Sequence, residues 1–302
     1  MDDLIEEQDV MTFKGMRRYH YNSPELLLSD AMRSPYYWWW AYLRLSKDYW
    51  WVCQQDGRVT DARLRKMYFD FGCVYEMTFA DWWEKKGVRL FREQIALPAV
   101  REIDVLRRNF SKPTGNYLLL ELPLHITERT LIKQVRQHLR HHPDRQVNRV
   151  SFAKRPLAKL IGIRQDVIES AYRVWQVHHQ SRDHRQVEKI GQTQGTKSLY
   201  QIGKELRLVK SCMPAVTDDK ERAAKRVNGM KVAVSRMLSR ANCLIDNACV
   251  GVFPSIKPLS VPIAWRGSKQ TELDAAISLG LWRPLFDANE TLIVPLLDDG
   301  HT

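Results

Sequence analysis

Seven of the ten tryptophans lie between residues 38 and 83. They come in runs: Pro35-Tyr36-Tyr37-Trp38-Trp39-Trp40-Ala41-Tyr42, then Tyr49-Trp50-Trp51, then Tyr68-Phe69-Asp70-Phe71, Tyr75, Phe79 and Trp82-Trp83. An aromatic side chain buries about 150–250 Å², so this density points to a compact N-terminal core. The local signals around it are helical. Ser23–Leu45 reads as helices broken at Pro35, and Asp61–Tyr68 and Asp81–Phe91 as two more. Asp61 and Asp81 suit N-caps, and Gly57, Gly72 and Gly87 punctuate the chain. Residues 1–110 are therefore expected to form an aromatic-rich, mainly helical domain. Such a cluster is most often core, but three consecutive tryptophans cannot all face inward from one helix, so at least one of Trp38, Trp39 and Trp40 is expected exposed or at an interface, which makes them a candidate partner-binding surface. Stacking on nucleobases is the third fate open to them.

Beyond a turn at residues 111–115, Tyr117–Leu122 reads as a buried strand ended by Pro123. Thr127 then caps a helix carrying Leu131, Val135 and Leu139 at i, i+4, i+8, which stops before Pro143. A second helix spans about residues 165–179, with Val167, Ala171, Val174, Trp175 and His178 on one stripe. Ser198 caps a short helix over 199–208 in which Leu199, Ile202 and Leu206 face inward. The clearest periodicity runs from Lys220 to about Ala248, through Ala223, Val227, Met230, Val234, Ala241 and Leu244, and ends at Gly251 and Pro254. The expected layout is mainly α. The aromatic domain of residues 1–110 precedes a basic helical domain of 115–250. An irregular segment of 251–302 follows, with a helix at 272–281 and short strands at 261–265 and 291–295.

Charge is distributed unevenly along this layout. Residues 126–249 hold 25 Lys/Arg against 11 Asp/Glu, whereas the flanking segments are near neutral, so the net charge of +12 sits in the middle of the chain. Within 129–164 the cations are Arg129, Lys133, Arg136, Arg140, Arg145, Arg149, Lys154, Arg155, Lys159 and Arg164, with Asp144 as the only acidic residue. A cationic concentration of this kind attracts polyanions and makes their binding salt-dependent. On the helix from Lys220, a step of 100° per residue gathers Arg222, Lys225, Arg236 and Arg240 on the side roughly opposite the apolar stripe.

The stretch Ser198-Leu199-Tyr200-Gln201-Ile202-Gly203-Lys204-Glu205-Leu206-Arg207-Leu208 resembles the first half of the helix-turn-helix found in many bacterial DNA-binding proteins. Gly203 stands where a small residue lets two helices approach. The resemblance covers about residues 198–245. It implies a DNA contact surface formed by Lys204, Arg207 and the Arg222, Lys225, Arg236, Arg240 side of the following helix. The departure is the connection: about eleven residues separate Leu208 from Lys220, where the motif uses three or four.

Other chemistries leave weaker marks. There is no Gly-rich phosphate loop, no Gly-x-Ser-x-Gly and no His-Glu-x-x-His. His138, His141, His142, His178, His179 and His184 lack the convergent spacing of a zinc site, so no metal or other cofactor is expected. Protonation of these histidines would add to anion binding. Asp70, Asp81, Glu84 and Glu93 are the acidic residues available to a metal-dependent nuclease. Five cysteines without paired spacing, an acidic start and no apolar run long enough for a bilayer fit a cytoplasmic protein. The expected partner is nucleic acid, duplex DNA foremost, with a second protein able to dock on the aromatic domain and a dimer as one option. The expected function is a DNA-binding regulator of the kind carried by bacterial mobile elements. A non-catalytic subunit of a larger nucleic-acid-handling or defence complex, and a nuclease or replication-type enzyme, are the alternatives.

Overall fold

The structure, a computed structural model, describes residues 13–16, 23–93, 120, 122–141, 151, 153–158, 164–182, 197–215, 218–263 and 270–292. It is mainly helical. Helices α1 (Pro24–Met32), α2 (Pro35–Leu43), α3 (Lys47–Gln54) and α4 (Ala62–Phe71) come first. Then α5 (Phe79–Trp82), a π-helical turn (Trp83–Gly87) and α6 (Val88–Phe91) run on without a break. Helices α7 (Glu128–His141), α8 (Gln165–Gln180), α9 (Leu199–Glu205), α10 (Lys220–Cys249) and α11 (Gln270–Ser278) follow, with a 3₁₀ turn at Lys210–Cys212. Among the described residues the β structure is one isolated bridge between Phe13 and Arg92, and 261–263 and 291–292 are not in strands. The strand expected at 117–122 lies largely outside the described residues. No described helix is long and apolar enough to cross a membrane.

Side-chain caps start the N-terminal helices. Ser23, Ser34, Ser46 and Asp61 accept from the first-turn amides of α1 to α4, which ties up donors that a helix leaves without partners. Asp81 is not the cap expected of it. Thr78 caps α5, and Asp81 sits three residues on, with the Thr78 hydroxyl donating to its Oδ2 at 2.6 Å. Gly87 does not break the chain either. It lies inside the continuous helix, where an added Cβ would come within 2.5 Å of the Trp83 ring.

Helix α2 is apolar all round, and such a helix is stable only when covered on every side. It is covered: α1, α8 and α10 pack against it, and the rings of Phe71, Phe79, Trp82 and Phe91 meet those of Trp39 and Trp40. Trp39 and Trp40 are buried, and Trp38 is half-buried with its ring edge-on to Tyr172 of α8. Of the candidate surface at Trp38–Trp40, Trp39 and Trp40 are therefore corrected to core positions, and Trp38 alone is partly open to solvent. The argument that three successive residues cannot all face inward assumed one neighbouring face, and α2 has several.

The expected boundary at residues 110–115 is also not where the chain divides. One compact unit comprises residues 1–96 and 153–302, and the other 97–152. In the first unit the aromatic cluster recruits later helices: Trp39 Nε1 donates to Ala248 O of α10 at 3.2 Å, and the Tyr42 hydroxyl donates to Ile168 O of α8 at 2.8 Å. Residues 283–292 are fastened to it as well. Arg44, buried beneath them with its guanidinium 4.3 Å from the Trp40 ring, donates to the carbonyls of Asp287 (2.7 Å) and Glu290. Leu292 N–H donates to Tyr75 O at 2.8 Å. A second, smaller core joins α8, α9 and α10 through Val174, Ile202 and Val234, all fully buried. In the 97–152 unit, Leu131, Val135 and Leu139 of α7 are half-buried along one stripe, and the Thr130 amide donates to Thr127 Oγ1 at 3.4 Å.

Candidate nucleic-acid interface

Helix α10 has two halves of different character. From Ala241 to Cys249 most residues are buried in the aromatic core, whereas Lys220–Lys225 are exposed and Met230 is the first fully buried position. Asp219 caps the projecting end, accepting from Arg222 N at 2.8 Å. Asp219 and Glu221 also complement the positive pole of the helix. Around the helix axis, Met230, Val234, Ala241 and Leu244 form the inward side. Arg222, Lys225, Arg236 and Arg240 share an arc of about 60°, roughly a third of a turn away and drawn out along about 27 Å. The arc flanks the buried side and does not oppose it.

Two elements pack beside this helix. Helix α9 starts with a capping box, in which Ser198 N–H donates to Gln201 Oε1 at 2.7 Å and Gln201 N–H donates to Ser198 Oγ at 3.3 Å. Gly203 is buried where α9 crosses α10. A Cβ there would meet Met230 Cγ at 2.5 Å and Val234 Cγ2 at 2.9 Å, so the two backbones approach as closely as the missing side chain allows. Lys204 and Arg207 point to solvent. The 3₁₀ turn seats Cys212 against Gly229, 2.9 Å from where a Cβ would stand. Gly229 lies within the cationic arc, so the turn that carries exposed Lys210 packs against that side of the helix. Arg226 clamps this loop, pairing with Asp218 at 3.1 Å and donating to the carbonyls of Ser211 (3.2 Å) and Met213 (2.7 Å). Lys210 and Arg226 were missed in the sequence because they belong to an aperiodic loop and its anchor, for which helical spacing carries no signal.

Neutralisation within the arc is slight. Arg222 pairs with Asp219 at 3.6 Å and Lys225 with Glu221 at 2.6 Å, all four side chains being exposed; pairs of this kind contribute about 0–1 kcal/mol and yield readily to another anion. Arg236 is exposed without an ion pair among the described residues, and Arg240 Nη1 lies 3.8 Å from Met237 S.

The other expected contacts separate. Arg129, Lys133 and Arg136 are exposed on α7, which belongs to the 97–152 unit. Arg140 is on the same helix, and Arg145 and Arg149 lie outside the described residues. Arg155 is corrected. It is buried, with Nε 2.5 Å from Asp70 Oδ2 and Nη2 donating to Lys66 O at 3.1 Å. Lys154 Nζ holds the other oxygen of the same carboxylate at 2.7 Å. Burial alone would raise the Asp70 pKa; the hydrogen bonds from Lys154 and Arg155 outweigh it and set the carboxyl below its ordinary range. Asp70 is thereby committed to two cations, and exposed Asp81 accepts from the Thr78 hydroxyl at the start of α5. His178 is held below the usual histidine pKa by burial, then by Arg182 and His179, so it adds charge only at lower pH. A cleft of about 450 Å³, not foreseen from the sequence, opens between the end of α8 and the 283–290 segment, lined in part by His179, Arg283, Asp287 and Glu290.

No family model matches the chain, and neither a curated protein nor a solved structure is found to be similar to it.

Proposed function

We propose that the chain is a DNA-binding factor of the regulatory kind, and that it sets the cationic side of α10, from Arg222 to Arg240, against duplex DNA. The observation that carries this reading is the arc on α10. Arg222, Lys225 and Arg236 are exposed and Arg240 half-buried along one cationic line of a helix whose last nine residues are mostly buried in the core. A recognition helix contacts base edges through its N-terminal residues while flanking cations hold phosphates. The close crossing of α9 and α10 at Gly203, with Lys204 and Arg207 outside it, supports a helix-turn-helix elaborated by the 3₁₀ turn. The two arginines of the arc without a carboxylate partner among the described residues, Arg236 and Arg240, are the natural phosphate contacts.

The test is a binding titration against duplex DNA, single-stranded DNA and RNA at two salt concentrations, with the Arg236→Ala/Arg240→Ala double variant alongside. The expected result is a preference for duplex DNA. The variant loses about tenfold or more in affinity, and its salt dependence flattens by about 0.9 in log–log slope for each phosphate contact removed. Unchanged affinity and slope in a folded variant overturn the assignment of α10, and tighter binding of RNA or single strands overturns the choice of duplex.

A further inference from the structure

Phe69 is 77% exposed, although the next two residues of α4, Asp70 and Phe71, are buried. Ala62, Arg65, Lys66 and Phe69 share an outward arc of about 100° on this helix, and all four are exposed. The surroundings of the ring are cationic. Lys154 Nζ lies 5.4 Å from the ring centre, within cation–π reach. Lys86 reaches across the end of α4, its Nζ 3.7 Å from where a Cβ on Gly72 would stand. Buried contacts fix this arrangement. Asp70 holds the Lys154 ammonium at 2.7 Å and Arg155 Nε at 2.5 Å. Arg155 in turn donates from its backbone N–H to Leu90 O at 2.9 Å and from Nη2 to Lys66 O at 3.1 Å, which fastens residues 154 and 155 to α6 and α4. The one carboxylate beside the ring is thus matched by two cations. The Lys154 side chain is about half-exposed, and an ammonium has three donors, so its bond to Asp70 leaves others for an anion. Arg65 and Lys66 have no ion pair among the described residues.

From this arrangement we infer that the exposed side of α4, together with Lys154, binds single-stranded nucleic acid: Phe69 stacks on a base, and Arg65, Lys66 and Lys154 hold the neighbouring phosphates. Charge complementarity calls for an anionic partner, and the isolation of the ring selects its class. Phe69 is the one large apolar side chain on the arc, whereas a protein partner needs an apolar centre built from several. An unpaired strand alternates flat bases with anionic phosphates, so a single ring set among cations matches it, and every base offers the ring a face. The bases of a duplex are already stacked on one another and offer Phe69 none. This surface lies on α4 and does not rest on the reading of α10.

The experiment titrates the full chain against labelled oligothymidylate, oligouridylate and an abasic deoxyribose-phosphate strand of equal length, at two salt concentrations, with fluorescence anisotropy as the readout and circular dichroism to check the fold. The wild type is expected to bind a base-bearing strand more tightly than the abasic one, and the tighter of the two base-bearing strands identifies DNA or RNA as the ligand. Phe69→Ala, a change at an exposed position, is expected to lose about 5–150-fold in affinity for that strand, with abasic and duplex binding unaltered, and Phe69→Trp to retain it. Arg65→Ala/Lys66→Ala is expected to flatten the log–log salt slope by about 0.7 for each phosphate contact removed. Full affinity in a folded Phe69→Ala variant overturns the inference, as does equal binding of abasic and base-bearing strands. Phe69-dependent binding of polyglutamate in place of the strands also overturns it and assigns the surface to an acidic protein. The Arg236→Ala/Arg240→Ala variant, which probes α10 alone, is expected to keep its hold on the strand; loss of the strand there, with none in Phe69→Ala, moves the site to α10 and overturns the inference.

Discussion

The core built around α2 and the small α8–α9–α10 cluster belong to one compact unit and share helices α8 and α10, yet they are constructed on different principles. Around α2, large rings meet on every side; around Val174, Ile202 and Val234, three aliphatic side chains seal a thin seam beneath an exposed basic surface. The first arrangement tolerates little, because each ring fills space that no neighbour can reclaim. The second spends few buried atoms, and most of its residues are free to serve the solvent side. Stability and the proposed binding thus sit at opposite ends of α10, with Cys249 and Ala248 in one and Arg222 and Lys225 in the other.

The comparison predicts a ranking of mutational effects. Trp39→Ala removes a fully buried indole together with its bond to Ala248 O, and a loss of about 3–5 kcal/mol in urea unfolding is expected. A cost below about 1 kcal/mol would mean that α2 is not the centre of the core. Asp70→Asn strips the carboxylate from buried Arg155, at a similar cost of about 3–5 kcal/mol. Its pH dependence follows from the direction of the shift. The folded carboxyl titrates below its unfolded value, so its contribution is complete above the ordinary aspartate pKa of 3.8 and disappears as the pH falls through the lower folded value. Acid unfolding curves of wild type and Asp70→Asn are expected to converge in that window; parallel curves would mean that Asp70 does not set the acid limit.

Gly203→Val tests the seam. Its added atoms meet Met230 and Val234, and overpacking at such a site costs about 1–3 kcal/mol. Separation of α9 from α10 should also weaken DNA binding, so a stable variant with unaltered affinity would detach α9 from the proposed interface. The smallest effect is expected from Lys225→Ala. Loss of its exposed pair with Glu221 changes stability by only about 0.3–0.5 kcal/mol, whereas DNA affinity should drop measurably. A large loss of stability with no loss of affinity would reverse the roles given to the two ends of the helix.

Much of the element list was legible in the sequence, and for local reasons. Asp61, Ser198 and the apolar steps from Met230 to Leu244 act within a turn or two of themselves, so their spacing is sufficient to read them. Helix α3 escaped notice because Tyr49-Trp50-Trp51 has no polar side to create a period; it is buried nearly all round. Thr78 was passed over for Asp81 because both suit a helix start and only the course of the chain selects between them. Among the binding candidates, Arg222, Lys225, Arg236 and Arg240 were readable as one side of a helix. Lys154 and Arg155 were not separable from solvent-facing cations, because their partner Asp70 lies over eighty residues earlier.

By itself the sequence determined that this chain is helical, that its aromatic residues must be buried and that its positive charge is concentrated in the middle, since propensity, side-chain area and formal charge are properties of residues and near neighbours. Only the tertiary structure decided that α2 is covered on every side, that residues 153–302 share a unit with the N-terminal helices, and that Arg155 is committed to Asp70 while Arg236 faces water. Those outcomes depend on which distant segments come to share a volume, and that is settled by the whole set of buried contacts at once and by no local pattern.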